Sequence, residues 1–194
     1  SDGDGLTDLE EMDCVSDPTD ATELCYSCGW AHNDPGNLSS TGMAEGDVIE
    51  NIQMVDQCGD NVDLWDFHGA YHILYMTAAW WSGCTREAGR LQEIQENFIA
   101  ETGLDFQFLF VLYEGASGNP AIAQDCETYA ESIDHPNFPI FADGNHLVAG
   151  ATPLTNQANP ELCALTPDLE IIKCYSGHNG YDSAIEDIRI HAGL

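Results

Sequence analysis

Residues 71–113 read YHILYMTAA, WWSGC, TREAGRLQEIQENFIAET, G and LDFQFLFVLY in succession, and this order decides the fold. Tyr71 to Ala79 is an apolar run of buried-strand length. From Thr85 to Thr102, Ala88, Leu91, Ile94, Phe98 and Ile99 recur at helical spacing, and Gly103 supplies a stop. Leu104 to Tyr113 is a second strand of the same kind. A strand, a helix and a strand in this order predict two parallel neighbours joined by a crossover helix.

The pattern extends in both directions. Upstream, Ile49, Ile52, Met54 and Val55, the turn Cys58-Gly59-Asp60-Asn61, then Val62, Leu64, Trp65 and Phe67 read as a hairpin. Downstream, Asn119-Pro120 predicts a second helix with Asn as cap, whose apolar face is Ile122, Cys126, Tyr129, Ala130 and Ile133. Phe138 to Phe141 is a third short strand. Leu162–Leu165 and Ile171–Tyr175 flank a turn at residues 166–170, and a last helix runs from about Tyr181 to His191. The expected architecture is α/β: a mixed, mostly parallel sheet flanked by helices, with an N-terminal β-hairpin and an antiparallel edge. Residues 1–45 have no apolar period and form an irregular acidic segment; 46–194 form the domain.

Composition bounds the function. The chain has 194 residues, 34 acids against 4 bases, a formal charge of −30 and 8 cysteines. Such a field excludes a grip on phosphate backbones, so no nucleic-acid partner is expected. No apolar run reaches the length of a membrane span. Ser1 in place of Met reads as a processed chain. The even, high cysteine count points to disulfides in an oxidising compartment, extracellular or periplasmic. If Thr166 opposes Ile171, Cys163 and Cys174 face each other across the last hairpin. Cys25-Tyr26-Ser27-Cys28 is a C-x-x-C that reads as a redox pair, as half a zinc site with His32, or as anchors of the N-terminal segment with Cys14 and Cys58.

The order resembles the thioredoxin fold in its redoxin branch, which holds TlpA-like thiol oxidoreductases and AhpC/TSA-type peroxiredoxins. Three stretches carry the resemblance: Gly46-Asp47-Val48-Ile49-Glu50-Asn51 through Gly69, Ala78 through Glu87, and Asn159-Pro160 before Leu162 to Asp168. It implies that Cys84 opens the first helix at the active-site turn and that Pro160 is the cis-proline shaping the substrate side. The oxidoreductase pattern W-C-x-x-C fails here, because Trp81 occupies the position of the attacking cysteine. The peroxiredoxin pattern around Ser82-Gly83-Cys84-Thr85-Arg86-Glu87-Ala88 is damaged too, with Trp81 where the activating Thr stands. Cys84 keeps some reactivity from the helix N-terminus and from Arg86 nearby; otherwise it is buried or bonded and inert. Trp81, Cys84, Arg86 and Pro160 are therefore the candidate catalytic residues.

Asp2-Gly3-Asp4-Gly5-Leu6-Thr7-Asp8-Leu9-Glu10-Glu11 resembles a calcium loop of the thrombospondin type-3 or EF-hand kind. With Gly5 at the sharp turn, Asp2, Asp4, Asp8 and Glu11 offer carboxylates and Leu6 its carbonyl, a hard oxygen set that suits Ca²⁺. The expectation is a secreted redoxin whose dithiol chemistry is lost and which serves a structural, binding or assembly role with calcium. Self-association or an extracellular protein partner is expected with it. The competing expectation is a one-cysteine thiol–disulfide oxidoreductase or peroxidase acting through Cys84, with an unidentified redox partner.

Overall fold

The computed structural model describes residues 19, 24–32, 36–156 and 159–194. Nine strands and four helices follow one another along them. The strands are β1 (Leu24–Cys25), β2 (Ala31–His32), β3 (Gln53–Asp56), β4 (Asn61–Asp63), β5 (Tyr71–Ala78), β6 (Phe106–Glu114), β7 (Ile140–Ala142), β8 (Glu161–Leu165) and β9 (Ile171–Ser176). The helices are α1 (Ser82–Thr102), α2 (Ala123–Ser132), α3 (Leu147–Ala151) and α4 (Gly180–Ala192). A 3-10 turn at Leu64–Phe67 follows β4.

Seven strands form one sheet in the order β4-β3-β7-β6-β5-β8-β9. The sheet is mixed as expected, but it is not mostly parallel. Only β5, β6 and β7 run parallel, while β3, β4, β8 and β9 join antiparallel. The reason is that both outer pairs are hairpins, and a short turn can return the chain only antiparallel.

Alternation along β5 separates two cores. Ile73 and Tyr75 face α1, α2 and α4, where Ala88, Leu91, Tyr129, Ala184 and Ile188 are buried. Leu74 and Met76 face the opposite side, against Ile52, Met54, Val148 and Ala151. Both faces of the sheet are thus covered, which explains why β5 and β6 read as continuous apolar runs rather than alternating ones. At the far end of α1 the backbone of Gly103 turns left-handed (φ 70°) and its N–H reaches Ile99 O at 2.8 Å. That is the stop the sequence announces.

The second helix starts later than expected. Asn119-Pro120 does not open it; Pro120 forms a bridge back to Glu114, and Gly115 N donates to Asn119 O at 2.8 Å. The helix begins at Ala123, where the Asp125 carboxylate accepts the Ile122 N–H at 3.0 Å. A capping carboxylate three residues into the helix outweighs the Asn-Pro signal. In the last hairpin Cys163 does oppose Cys174, yet Leu165, not Thr166, pairs with Ile171. A bulge between Ala164 and Leu165 absorbs the extra residue.

The small β1–β2 ladder docks on the β3–β4 side. Cys28 is bonded to Cys58, Tyr26 Oη donates to Asp66 at 2.5 Å, and Trp30 Nε1 donates to Asp56 at 3.1 Å. No described helix is long and apolar enough to cross a membrane.

Candidate functional site

β5 ends at Ala78, and the chain turns through Trp80 and Trp81 into α1. Trp81 is the N-cap of α1 but offers its first turn no side-chain hydrogen bond, as an indole must. Its carbonyl accepts from Cys84 N at 3.0 Å. Trp80 and Trp81 meet edge to face, 5.4 Å between centroids, and Trp80 Nε1 donates to Glu114 Oε2 at 2.6 Å. Both indoles remain about two-fifths exposed, at 43% and 39%, which is unusual for rings this large.

Cys84, one turn into the site, is fully buried and carries a free thiol. Burial pushes its pKa up; the hydroxyls of Thr77 and Tyr75 beside the sulfur work the other way, and the Glu87 charge adds to the rise. The net direction is thus opposite to the activation that the sequence suggests, with desolvation the largest cause. Arg86 does not figure in the sulfur's surroundings. It lines an adjacent cavity with Gly83, Glu87 and Arg90.

The Asn159–Pro160 bond is cis, in line with the family pattern, and Pro160 is buried at the start of β8. Asn159 ties this turn to β5 and β6: its Oδ1 accepts from Thr77 Oγ1 at 3.2 Å, Ala78 N at 3.2 Å and Tyr113 Oη at 3.1 Å. Thr77 thus stands between the cis-proline turn and Cys84. The sequence places Asn159 only beside the cis-proline and names neither it nor Thr77 nor Tyr75 as a site residue, although a Thr at the end of a buried strand is a visible signal.

Among the described residues no second sulfur serves Cys84. Cys28–Cys58 and Cys163–Cys174 are disulfides, and Cys126, the other free thiol, is buried in α2 with its pKa pushed well up by burial. The bond to Cys58 removes Cys28 from any zinc cluster with Cys25 and His32. Asp56 lies close to that disulfide, but its carboxylate already accepts from Cys58 N, Asp60 N and Trp30 Nε1. Asp2, Asp4, Leu6, Asp8 and Glu11, the residues expected to hold calcium, lie outside the described residues, as does Cys14.

A model of the AhpC/TSA family matches residues 46–172, and the chain belongs to that family of redoxin-type thiol oxidoreductases and peroxidases. The fold is thioredoxin-like and similar to several solved structures. Peroxidoxin BcpB of Mycobacterium tuberculosis is 17% identical with a TM-score of 0.62, covering 76% of this chain and 97% of its own. The exposed lipoprotein thioredoxin Etrx1 of Streptococcus pneumoniae is 20% identical with a TM-score of 0.58, over 73% of this chain and 99% of its own. A DsbE-type thiol:disulfide interchange protein of Chlorobium tepidum is 16% identical with a TM-score of 0.58, over 78% and 98%. No curated protein matches the chain in sequence.

Proposed function

We propose that this protein is a redoxin that has given up its dithiol cycle and acts as a structural, binding or assembly module outside the cytoplasm. One observation carries the reading: an indole, Trp81, fills the position of the attacking sulfur while Cys84 is sealed at 0% exposure. A disulfide cycle needs two thiols within bonding reach, one of them an exposed thiolate. Neither condition is met among the described residues. The exposed Trp80–Trp81 pair then offers a partner a rigid aromatic face at the place where a redoxin would meet its substrate. The two disulfides among the described residues and the acidic composition suit an extracellular or periplasmic setting.

The test is a thiol titration of native protein at neutral pH beside assays of disulfide reduction and peroxide consumption. No iodoacetamide labelling of Cys84 or Cys126 is expected until denaturant exposes them, and turnover should stay at background. Turnover that disappears in Cys84→Ser would overturn the proposal. It would establish the second reading, a one-cysteine enzyme, for which the Thr77 and Tyr75 hydroxyls beside the sulfur speak.

Calcium binding by the segment from Asp2 to Glu11 is part of the proposal. Saturation at a hundredfold excess over Kd stabilises by about 2.7 kcal/mol, which raises Tm by roughly 5–10 °C in a chain of this size. A Tm indifferent to millimolar Ca²⁺ and to chelator removes calcium from the reading.

A further inference from the structure

The chain has only 4 basic residues, and their placement is informative. Arg189 bonds Glu101 at 2.6 Å, and the Lys173 ammonium lies 5.3 Å from the centre of the Tyr175 ring. The other two, Arg86 and Arg90, make no ion pair among the described residues despite 34 acids in the chain. They stand one turn apart on α1 and line the same cavity of about 320 Å³. His178, Asn179 and Tyr181 close it from the β9–α4 side.

Arg86 is exposed just beyond the first turn of α1, and the like charge of the exposed Arg90 at the i+4 position repels it. No acidic residue in the first turn offsets it. The N-terminus of α4 opens on the same cavity through Asn179, which is left-handed (φ 66°) and makes no side-chain cap. Two helix N-termini without side-chain caps (α4 with Asp182 in its first turn), two exposed guanidinium forks without an ion pair and an imidazole thus converge. The one acid at the cavity, Glu87, has Oε2 engaged by His178 Nδ1 at 2.9 Å, while its Oε1 is buried without a hydrogen-bond partner, so an anion must lie on the guanidinium side. Gly83 allows the close approach, since a Cβ there would lie 3.0 Å from Trp81 Nε1 and 3.1 Å from His178 Cε1.

We infer that this cavity is a binding site for an oxyanion, a carboxylate or phosphate group, held by Arg86 and Arg90 against the N-termini of α1 and α4. Guanidinium forks match such groups bidentately, and an anion there relieves the Arg–Arg repulsion. The inference is independent of whether Cys84 turns over. Because it adjoins Trp81, the site would fix the polar end of a ligand whose apolar part meets the indoles.

The test uses the full chain, ¹⁵N-labelled, in about 0.15 M NaCl, which shrinks the reach of the −30 field to about 8 Å. Inorganic phosphate and succinate are titrated separately. Saturable shifts of the Gly83, Asn179 and Gly180 amides, with Kd on the order of millimolar, are expected for at least one of them. The double variant Arg86→Gln/Arg90→Gln should weaken binding by about tenfold or more, while Arg189→Gln should not. Preference for phosphate assigns a phosphate-bearing ligand, and preference for succinate a carboxylate-bearing one. Absence of shifts with both anions, or unchanged affinity in a folded double variant, overturns the inference.

Discussion

Replacing Trp81 with cysteine is expected to return disulfide chemistry to this site. Positions three apart in a helical first turn hold their Cβ atoms about 5–6 Å apart, a spacing that small adjustments turn into a disulfide. Trp81 is 39% exposed at the N-cap, so a sulfur there would meet solvent and the positive end of α1 together. Those are the conditions that lower a thiol pKa. Cys84, buried one turn on with Thr77 beside it, would serve as the resolving partner. Trp81→Cys should therefore raise the rate of insulin disulfide reduction by about two orders of magnitude over the parent protein. The gain should vanish in Trp81→Cys/Cys84→Ser. Losing the edge-to-face contact with Trp80 costs about 0.5–1.5 kcal/mol, too little to unfold a domain. A folded Trp81→Cys protein that stays inert would show that more than one side chain has been lost from the catalytic design, with the burial of Cys84 the first suspect.

The fold was legible where the period was long. The β5–α1–β6 unit could be read directly because its strands are buried on both faces and α1 spans 21 residues. Shorter elements were hidden by their chemistry. Helix α3 is only 5 residues long and has no period to show; it exists because Asp143, buried at 1% exposure, accepts the Leu147 and Val148 N–H groups at 2.7 and 2.9 Å. The Cys163–Cys174 pairing was visible, whereas the bulge beside it was not, since a bulge depends on the partner strand. At the site, the sequence shows Trp81 in place of a sulfur but cannot weigh burial against the helix dipole for Cys84. Arg86 illustrates the same limit. It is two residues from Cys84 in sequence, yet its neighbours in space include His178 and Asn179, which the fold brings from the β9–α4 turn.

Acidification should expose a second buried group, His72 on β5, and its contribution runs against that of the carboxylates. His72 is 1% exposed and lies between two carbonyls, Phe67 O at 2.6 Å from Nε2 and Gln107 O at 3.2 Å from Nδ1. Burial lowers its pKa from 6.5 to about 4, more than those carbonyls can offset. Between these values the unfolded chain binds a proton at this position that the folded chain refuses. Stability contributed by His72 is therefore complete above pH 6.5, declines as pH falls, and is lost by pH 4. The loss is about 3 kcal/mol for a shift of this size. Asp56 and Asp143 have the opposite sign, because burial raises their pKa values and the folded form takes up protons first. Neutralising part of the −30 charge also relieves self-repulsion. A raw stability profile mixes all of these, so the measurement is a difference. Urea unfolding of the parent and of His72→Gln, which keeps a donor and an acceptor but cannot titrate, should give a stability gap that shrinks by about 3 kcal/mol from pH 7 to pH 4. A gap independent of pH would mean that His72 accepts its proton inside the fold, with both carbonyls serving as acceptors for an imidazolium.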